Sequence, residues 1–458
     1  MRNPGDILLL STYELGHQPL LLASPLAFLK DAGFEPEAID LAVQPLDEEA
    51  VRKAQLVAIA VPMHTALRLG VEVAARVRKL NRGAHLAFYG LYAPLNREFL
   101  LEQGASSVLG GEFEAELVKL ARRLAEETKP GATRLVVLDR LNFPVPDRAS
   151  LPPLKKYAHL LHEGGERLVG YVEASRGCLH HCRHCPIPPV YDGRFFVVQK
   201  DTVLEDVRRQ VAAGAEHITF GDPDFLNGPE HVMRIVRAMH GEHPTLTFDL
   251  TAKIEHLLQH RALLPELRAL GCLFIVSAVE SLAERVLTIL DKGHTRADVD
   301  EALSLVSAAG ITLRPSLLAF TPWTTLDDYL ELVDWIEQRN LIDHIEPIHL
   351  AIRLLIPPGS KLLELAETQS VIGEFAADRL TYLWDHPDPR MDALQRAAYA
   401  TVESAAAAGE DPRTTFFRVK ALAFAAAANR PLTVGSATHA PLSASHSRAP
   451  RLSEAWFC

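Results

Sequence analysis

Residues 173–193 read EASRGCLHHCRHCPIPPVYDG. Within them Cys178, Cys182 and Cys185 stand at the spacing C-x3-C-x2-C, interleaved with His180, His181 and His184. The chain of 458 residues holds five cysteines, so three in one short segment call for a shared purpose. The segment follows a strand-like run through Arg176-Gly177 and ends at Pro186, Pro188 and Pro189, which forbid a continuing helix. It therefore reads as a loop, and a short loop can wrap three thiolates around one metal centre. Soft thiolates select zinc, copper(I) or an iron–sulfur cluster. A four-iron cluster normally takes four cysteines. With no fourth cysteine nearby, one iron would stay open to a ligand that is not protein, and an open position marks a catalytic site more often than a structural one. Zinc held by the three cysteines and one of the interleaved histidines is the competing reading of the same residues.

Outward from the loop, the sequence divides into regions. Residues 1–127 alternate apolar runs (DILLLS 6–11, EAIDLAV 37–43, LVAIAVP 56–62, HLAFYG 85–90, SSVLG 106–110) with amphipathic segments. That alternation implies a doubly wound parallel sheet whose ligand sits beyond the carboxyl ends of the strands. Residues 128–165 are a Pro-rich linker. Residues 166–385 repeat the alternation with RLVGYVEA, EHITF, TLTFDLT, CLFIVSAV, ITLRPSLLAF and HIEPIHLAIRLL as strand candidates. Six β-α units suit a partial (β/α)6 barrel or another open sheet, and the linker and the cysteine motif favour the partial barrel. Thr202/Glu205, Ser281/Glu284, Thr295/Asp298 and Thr325/Asp328 have the spacing of capping boxes. Ala-rich helical patterns fill 386–435, and 436–458 is expected to be a flexible tail. The fold class is thus α/β with a small helical C-terminal region.

The spacing C-x3-C-x2-C in a loop after the first strand of a β/α barrel resembles the radical S-adenosylmethionine (SAM) superfamily. The resemblance implies a 4Fe-4S cluster on Cys178, Cys182 and Cys185, whose open iron is chelated by S-adenosyl-L-methionine. Reductive cleavage of SAM would then give a 5′-deoxyadenosyl radical. His184 departs from the pattern, since an aromatic residue usually precedes the third cysteine. FGDPDFLNG, after the second barrel strand, occupies the place of the superfamily's SAM-ammonium motif, which puts Gly221, Asp222 and Asp224 forward; a turn built on Asp-Pro-Asp needs no ligand. SAVESLAERVLTILDKGHT resembles a stretch in which Glu and Ser contact SAM, here Glu280 and Ser281, although Ser281 also reads as a helix cap. Arg314 shares a strand face with Thr312 and Ser316 and suits the SAM carboxylate, with a structural salt bridge, Glu280 being a candidate partner, as the competing account. His349 and Arg353 share a face of the sixth strand as weaker substrate-contact candidates, and Cys272 reads as core. No catalytic residue beyond these is assigned.

A doubly wound domain ahead of such a barrel, with LGGEFEAEL (109–117) and FYGLYAP (88–94), resembles the cobalamin-binding-domain branch. The resemblance makes cobalamin a further candidate cofactor. The Asp-x-His-x-x-Gly motif for a lower axial histidine is missing, so cobalt bound there would carry no protein imidazole. Gly90, Gly110 and Gly111 would either admit backbone to the corrin or make ordinary strand-end turns. The ending RLSEAWFC resembles radical SAM proteins with a CUAEP or CCAEP tail, which implies a chain continuing past Cys458 with selenocysteine.

Composition narrows the function classes. A net charge of −11 repels phosphates over most of the surface, so nucleic acid is not expected as a partner. No apolar stretch reaches the roughly 20 residues of a membrane helix, and the cysteine pattern is no disulfide framework. These features predict a cytoplasmic protein, and the family resemblance implies an enzyme acting on a small molecule or peptide, reduced by a donor such as flavodoxin or ferredoxin. A zinc- or cluster-stabilised binding protein without radical chemistry, and an RNA-modifying relative, are the rival readings.

Overall fold

The structure, a computed structural model, describes residues 1, 3–126, 134–432 and 448–454. In the N-terminal layer the apolar runs form strands β1 (Ile7–Ser11), β2 (Glu37–Asp40), β3 (Leu56–Ala60), β4 (His85–Tyr89) and β5 (Ser107–Gly111). Every residue of β1, β3 and β5 is buried, as expected of parallel strands covered on both faces. The sheet is parallel in the order β2-β1-β3-β4-β5-β6. Its sixth member, β6 (Val136–Val137), comes from the segment read as a linker. The order reverses beside β1, which puts the ligand crevice beyond the carboxyl ends of β1 and β3.

The second sheet begins with an antiparallel hairpin, β7 (His159–His162) and β8 (Gly165–Val172). The short pair β9 (Ser175–Gly177) and β10 (Phe195–Val197) frames the cysteine loop. Strands β11 (His217–Phe220), β12 (Thr247–Thr251), β13 (Cys272–Glu280) and β14 (Thr312–Leu317) then add in parallel to β8. The result is a curled half barrel with helices on its outer face. Cys272 is completely buried in its core. The expected sixth barrel strand is reduced to one parallel bridge, Phe320 with Arg353. Its residues instead form short 3-10 turns, Ile342–His344 and Pro347–Leu350, because Pro347 has no amide to give to a sheet ladder.

Two of the four capping boxes form, at Thr295/Asp298 and Thr325/Asp328. At the other two, the helices start at Lys200 and Glu284; Thr202 donates to the Phe143 carbonyl, and Ser281 accepts from the Ala283 amide. Two-stranded β15 (Ile372–Ala376) and β16 (Thr381–Trp384) precede the C-terminal helices Pro389–Ala408 and Pro412–Ala427, which pack against the open edge of the half barrel. The tail is not loose where it is described. Arg451–Leu452 form β17, antiparallel to β7, and Glu454 accepts from the Tyr13 hydroxyl at 2.5 Å. Cys458 lies outside the described residues.

Arg148, from the linker, ties the layers together. It makes a bidentate pair with Asp206 at 2.8 and 2.9 Å, and reaches the Gln18 side chain and the Tyr171 carbonyl. Both partners of the ion pair are buried, so losing the guanidinium strands a buried carboxylate. Arg148→Ala should cost about 3–5 kcal/mol, read as a lowered thermal unfolding midpoint under anaerobic conditions. An unchanged midpoint would show that the layers are held elsewhere.

Candidate functional site

The cysteine loop is held at both ends by backbone geometry. Gly177 has φ +75°, and a Cβ there would lie 2.4 Å from the Arg194 carbonyl. That close approach lets the Cys178 amide donate to the same carbonyl at 3.1 Å. Further along, the Arg183 amide donates to Leu290 O, and its guanidinium reaches Thr288 O and Ile289 O. The loop is thereby pinned to the helix Glu284–Leu290. Asn227 accepts from the Leu179 amide and lies 4.0 Å from Cys178 Sγ. Cys178 and Cys182 are buried, Cys185 is half-buried, and none of the three is in a disulfide. Burial pushes the Cys178 thiol up to about 11. A thiolate in that position needs a nearby cation, which bound metal supplies.

All three cysteines open on a cavity of about 820 Å³ that runs between the half barrel and the crevice of the N-terminal sheet. Small-ligand pockets span about 300–1,000 Å³, so the space suits SAM with room beside it. Gly221, Asp222, Glu280 and Arg314 stand on its wall. Gly221 has no alternative, because a Cβ would fall 1.9 Å from the Tyr171 hydroxyl oxygen. Asp222 is engaged within the chain, accepting from the Ala174 amide at 2.9 Å and the Ser175 hydroxyl at 2.5 Å. Burial raises its carboxyl to about 7 against these hydrogen bonds. It thereby fixes the turn that leads into the cysteine loop. Asp224 and Ser281 are buried off the wall. Asp224 turns toward His180 and His256, and Ser281 caps its local turn.

Glu280 ends β13 with φ +65°. Its carboxylate is 3.3 Å from Lys292 Nζ and 3.2 Å from His184 Nε2. Burial alone would raise this carboxyl, but Lys292 and His184 outweigh it and bring it down to about 2. Arg314 pairs at 2.6 Å with Glu346, which sets the competing account right as to partner: a salt bridge exists, and not to Glu280. His349 and Arg353 also reach the cavity; Arg353 is held by Asp392 and stacks on Trp384 at 3.5 Å. Each loop histidine has a ring nitrogen near another side chain: His180 near Asp224, His181 near Lys361 and His184 near Glu280.

Several functional side chains escaped the sequence reading. Lys292 stood inside a quoted motif, but its pairing with Glu280 depends on the fold. Arg176 sits buried between Glu114 (2.6 Å), Glu112 (3.9 Å) and Glu173 (2.8 Å). Tyr171 and Glu14 also line the cavity. Burial raises the Glu14 carboxyl to about 8, and the group accepts from the Leu20 and Leu21 amides.

The N-terminal wall of the cavity has the position expected for cobalamin, with Met63, Gly90 and Gly111 on it. The glycines are explained within the chain. A Cβ on Gly111 would meet Val137 O at 2.1 Å, one on Gly110 would meet Pro94 at 2.5 Å, and one on Gly90 would meet Val61 backbone at 3.2 Å. The two histidines on this wall are already engaged: His17 lies against the Tyr171 ring, with burial pushing its imidazole down to about 4, and His64 Nε2 is 2.8 Å from Arg379 O. The wall therefore offers space and shape.

A half barrel whose first loop presents C-x3-C-x2-C to such a cavity has the architecture of a radical SAM domain. Residues 172–336 match the family described as the Radical SAM superfamily, and this chain carries a domain of that superfamily. Among solved structures, the cobalamin-dependent S-adenosylmethionine radical enzyme OxsB with aqua-cobalamin bound is similar at TM-score 0.68 and 16% identity, over 91% of this chain and 72% of that one. The radical SAM methyltransferase TsrM from Kitasatospora setae is similar at TM-score 0.62 and 18% identity, over 79% and 76%. At these identities the likeness shows the fold, and both layers lie within it. The hopanoid C-3 methylase of Methylococcus capsulatus is 26% identical over 227 residues, 47% of this chain and 43% of that protein. The chain spans less than half the length of the curated relatives it matches.

The loop geometry makes a direct test. Replacing Cys178, Cys182 or Cys185 by Ala should each abolish iron–sulfur absorbance after anaerobic reconstitution, and Cys272→Ala should leave it intact. Full absorbance in Cys182→Ala would remove the loop from the metal site.

Proposed function

We propose that the protein is a radical SAM enzyme whose half barrel holds a 4Fe-4S cluster and SAM, with cobalamin in the N-terminal crevice. The observation that carries this reading is that the three thiols, the Glu280–Lys292 pair and Arg314 all open on one interdomain cavity. Cys178, Cys182 and Cys185 would hold the cluster. Bound there, cluster and SAM supply a reductively generated 5′-deoxyadenosyl radical that abstracts hydrogen from a substrate; cobalamin would add methyl transfer. Glu280 keeps its negative charge to low pH and faces the SAM ammonium, while Lys292 and His184 fix its direction. Arg314, anchored by Glu346, receives the SAM carboxylate. Gly221 leaves room for Tyr171 at the barrel floor, and Asp222 sets the chain entering the loop.

Residues 1–127 and 166–385 divide the work between crevice and barrel. No helix among the described residues is long and apolar enough to cross a membrane. We place the protein in the reducing cytoplasm, where a flavodoxin- or ferredoxin-type donor would supply electrons and a small molecule or peptide would be the substrate.

Anaerobic reconstitution with SAM and a reductant tests the reading through 5′-deoxyadenosine, and a colourless protein containing zinc without iron or sulfide would overturn it. Glu280→Gln should keep the cluster absorbance and weaken SAM binding about 10- to 100-fold, the loss expected for one charge-assisted hydrogen bond. Unchanged SAM affinity would move the ammonium site elsewhere. Cobalamin added to the protein should bind without the spectrum of imidazole-ligated cobalt.

A further inference from the structure

Beside the cysteine loop, three side chains from three separate segments converge, and one of them, His180, also lines the cavity. His180 comes from the loop itself, Asp224 from the turn after β11, and His256 from the short helix Ile254–Gln259 that follows β12. Their ligand atoms all lie within 4.8 Å of one another. Asp224 Oδ2 is 2.7 Å from His256 Nδ1 and 3.4 Å from His180 Nε2. All three atoms are shielded from solvent, and Asp224 stands between the two imidazoles as an ion-pair partner of each. Asp224 is wholly buried. Three ligand-type side chains from three segments, turned on one point and closed to solvent, make a donor set that a cation can bridge.

The surroundings are those of a built site. The other Asp224 oxygen accepts from the Leu226 amide at 3.1 Å, which sets the carboxylate plane. On the far side of the His180 ring, Nδ1 is 3.6 Å from Glu255 Oε2, and Glu255 is itself 3.4 Å from Lys253 Nζ. A carboxylate behind a ligating imidazole fixes its tautomer and raises its basicity. Two imidazoles and one carboxylate suit a divalent first-row ion such as Zn²⁺ or Fe²⁺, with a further position left for water.

We propose that His180, Asp224 and His256 bind one divalent transition-metal ion, distinct from the cysteine site, that staples the cysteine loop to the turns after β11 and β12. The ion would bridge the three side chains and so fix the loop to both turns. Asp224 would thus serve the loop rather than SAM.

The test uses the full chain carrying Cys178→Ala, Cys182→Ala and Cys185→Ala together, so that thiolate cannot take the ion. Titrated with Co²⁺, this variant should bind one tight equivalent with d–d bands and no thiolate-to-cobalt charge transfer, and Zn²⁺ should displace it. His256→Gln or Asp224→Asn in the same background should remove that equivalent, and Glu255→Gln should weaken it about 10- to 100-fold. A folded variant that binds no Co²⁺ tightly, or binding indifferent to His256→Gln, overturns the proposal. Should the triple variant not fold, metal analysis of the anaerobically reconstituted wild-type chain decides. One divalent ion beyond the cluster iron, lost in His256→Gln while cluster absorbance persists, supports the site; no such ion refutes it. Neither outcome depends on SAM cleavage.

Discussion

Besides Arg148, a second buried guanidinium fixes how the two layers meet. Arg176 stands two residues before the first loop cysteine, buried among Glu112, Glu114 and Glu173, with its face over the Phe143 ring at 4.8 Å. Glu112 and Glu114 come from the N-terminal layer and Glu173 from the end of β8, so the guanidinium can be satisfied only when layer and barrel are docked. Its partners are supported in turn, Glu112 by the Tyr191 hydroxyl and Glu114 by the Ser24 hydroxyl. Burial raises the Glu112 carboxyl to about 7, with Arg176 opposing it. The excess of carboxylates is therefore less costly than a count of charges suggests. Breaking a buried pair by removing one partner costs about 3–5 kcal/mol, enough to make the docking geometry a fixed property of the chain.

That constraint determines what the cavity can be. Because the layers dock through residues adjoining Cys178, the crevice of the first sheet and the mouth of the half barrel become one space. The strands are aimed so that both sheets present their carboxyl ends to it. Glu280 can keep a charge there because Lys292 and His184 converge on it. Arg314 holds its direction because Glu346 anchors it. The polar wall is made of side chains already committed to partners, an arrangement that fixes binding groups before a ligand arrives.

The parts legible in the sequence were those with short-range signals. The C-x3-C-x2-C spacing, the strand-helix alternation of both layers and two capping boxes needed only local pattern. Glu280 was put forward by the resemblance of SAVESLAERVLTILDKGHT, although its partner, Lys292, was fixed by the fold. The acidic motif GEFEAEL was read as a family mark, and its physical use, clasping Arg176, appears only across more than 60 residues of chain. Asp224 looked equivalent to Asp222 on paper; two residues of turn send one to the cavity wall and the other beside the loop. The sixth strand failed because Pro347 interrupts it. The ordered Arg451–Leu452 segment was missed because two residues are too few to show a strand period.

That short segment has a consequence for how the protein is made. Leu161 and Arg451 are partners in one ladder yet stand far apart in the sequence, so this pairing forms only after all the intervening chain has been made. Roughly 270 residues separate the third loop cysteine from Arg451, which at ~5–20 residues per second is on the order of 15–50 s of translation. Throughout that interval the cysteine loop already exists and its cavity lacks a side. The order of synthesis therefore lets the cysteine loop exist before the segment that completes this side of its cavity.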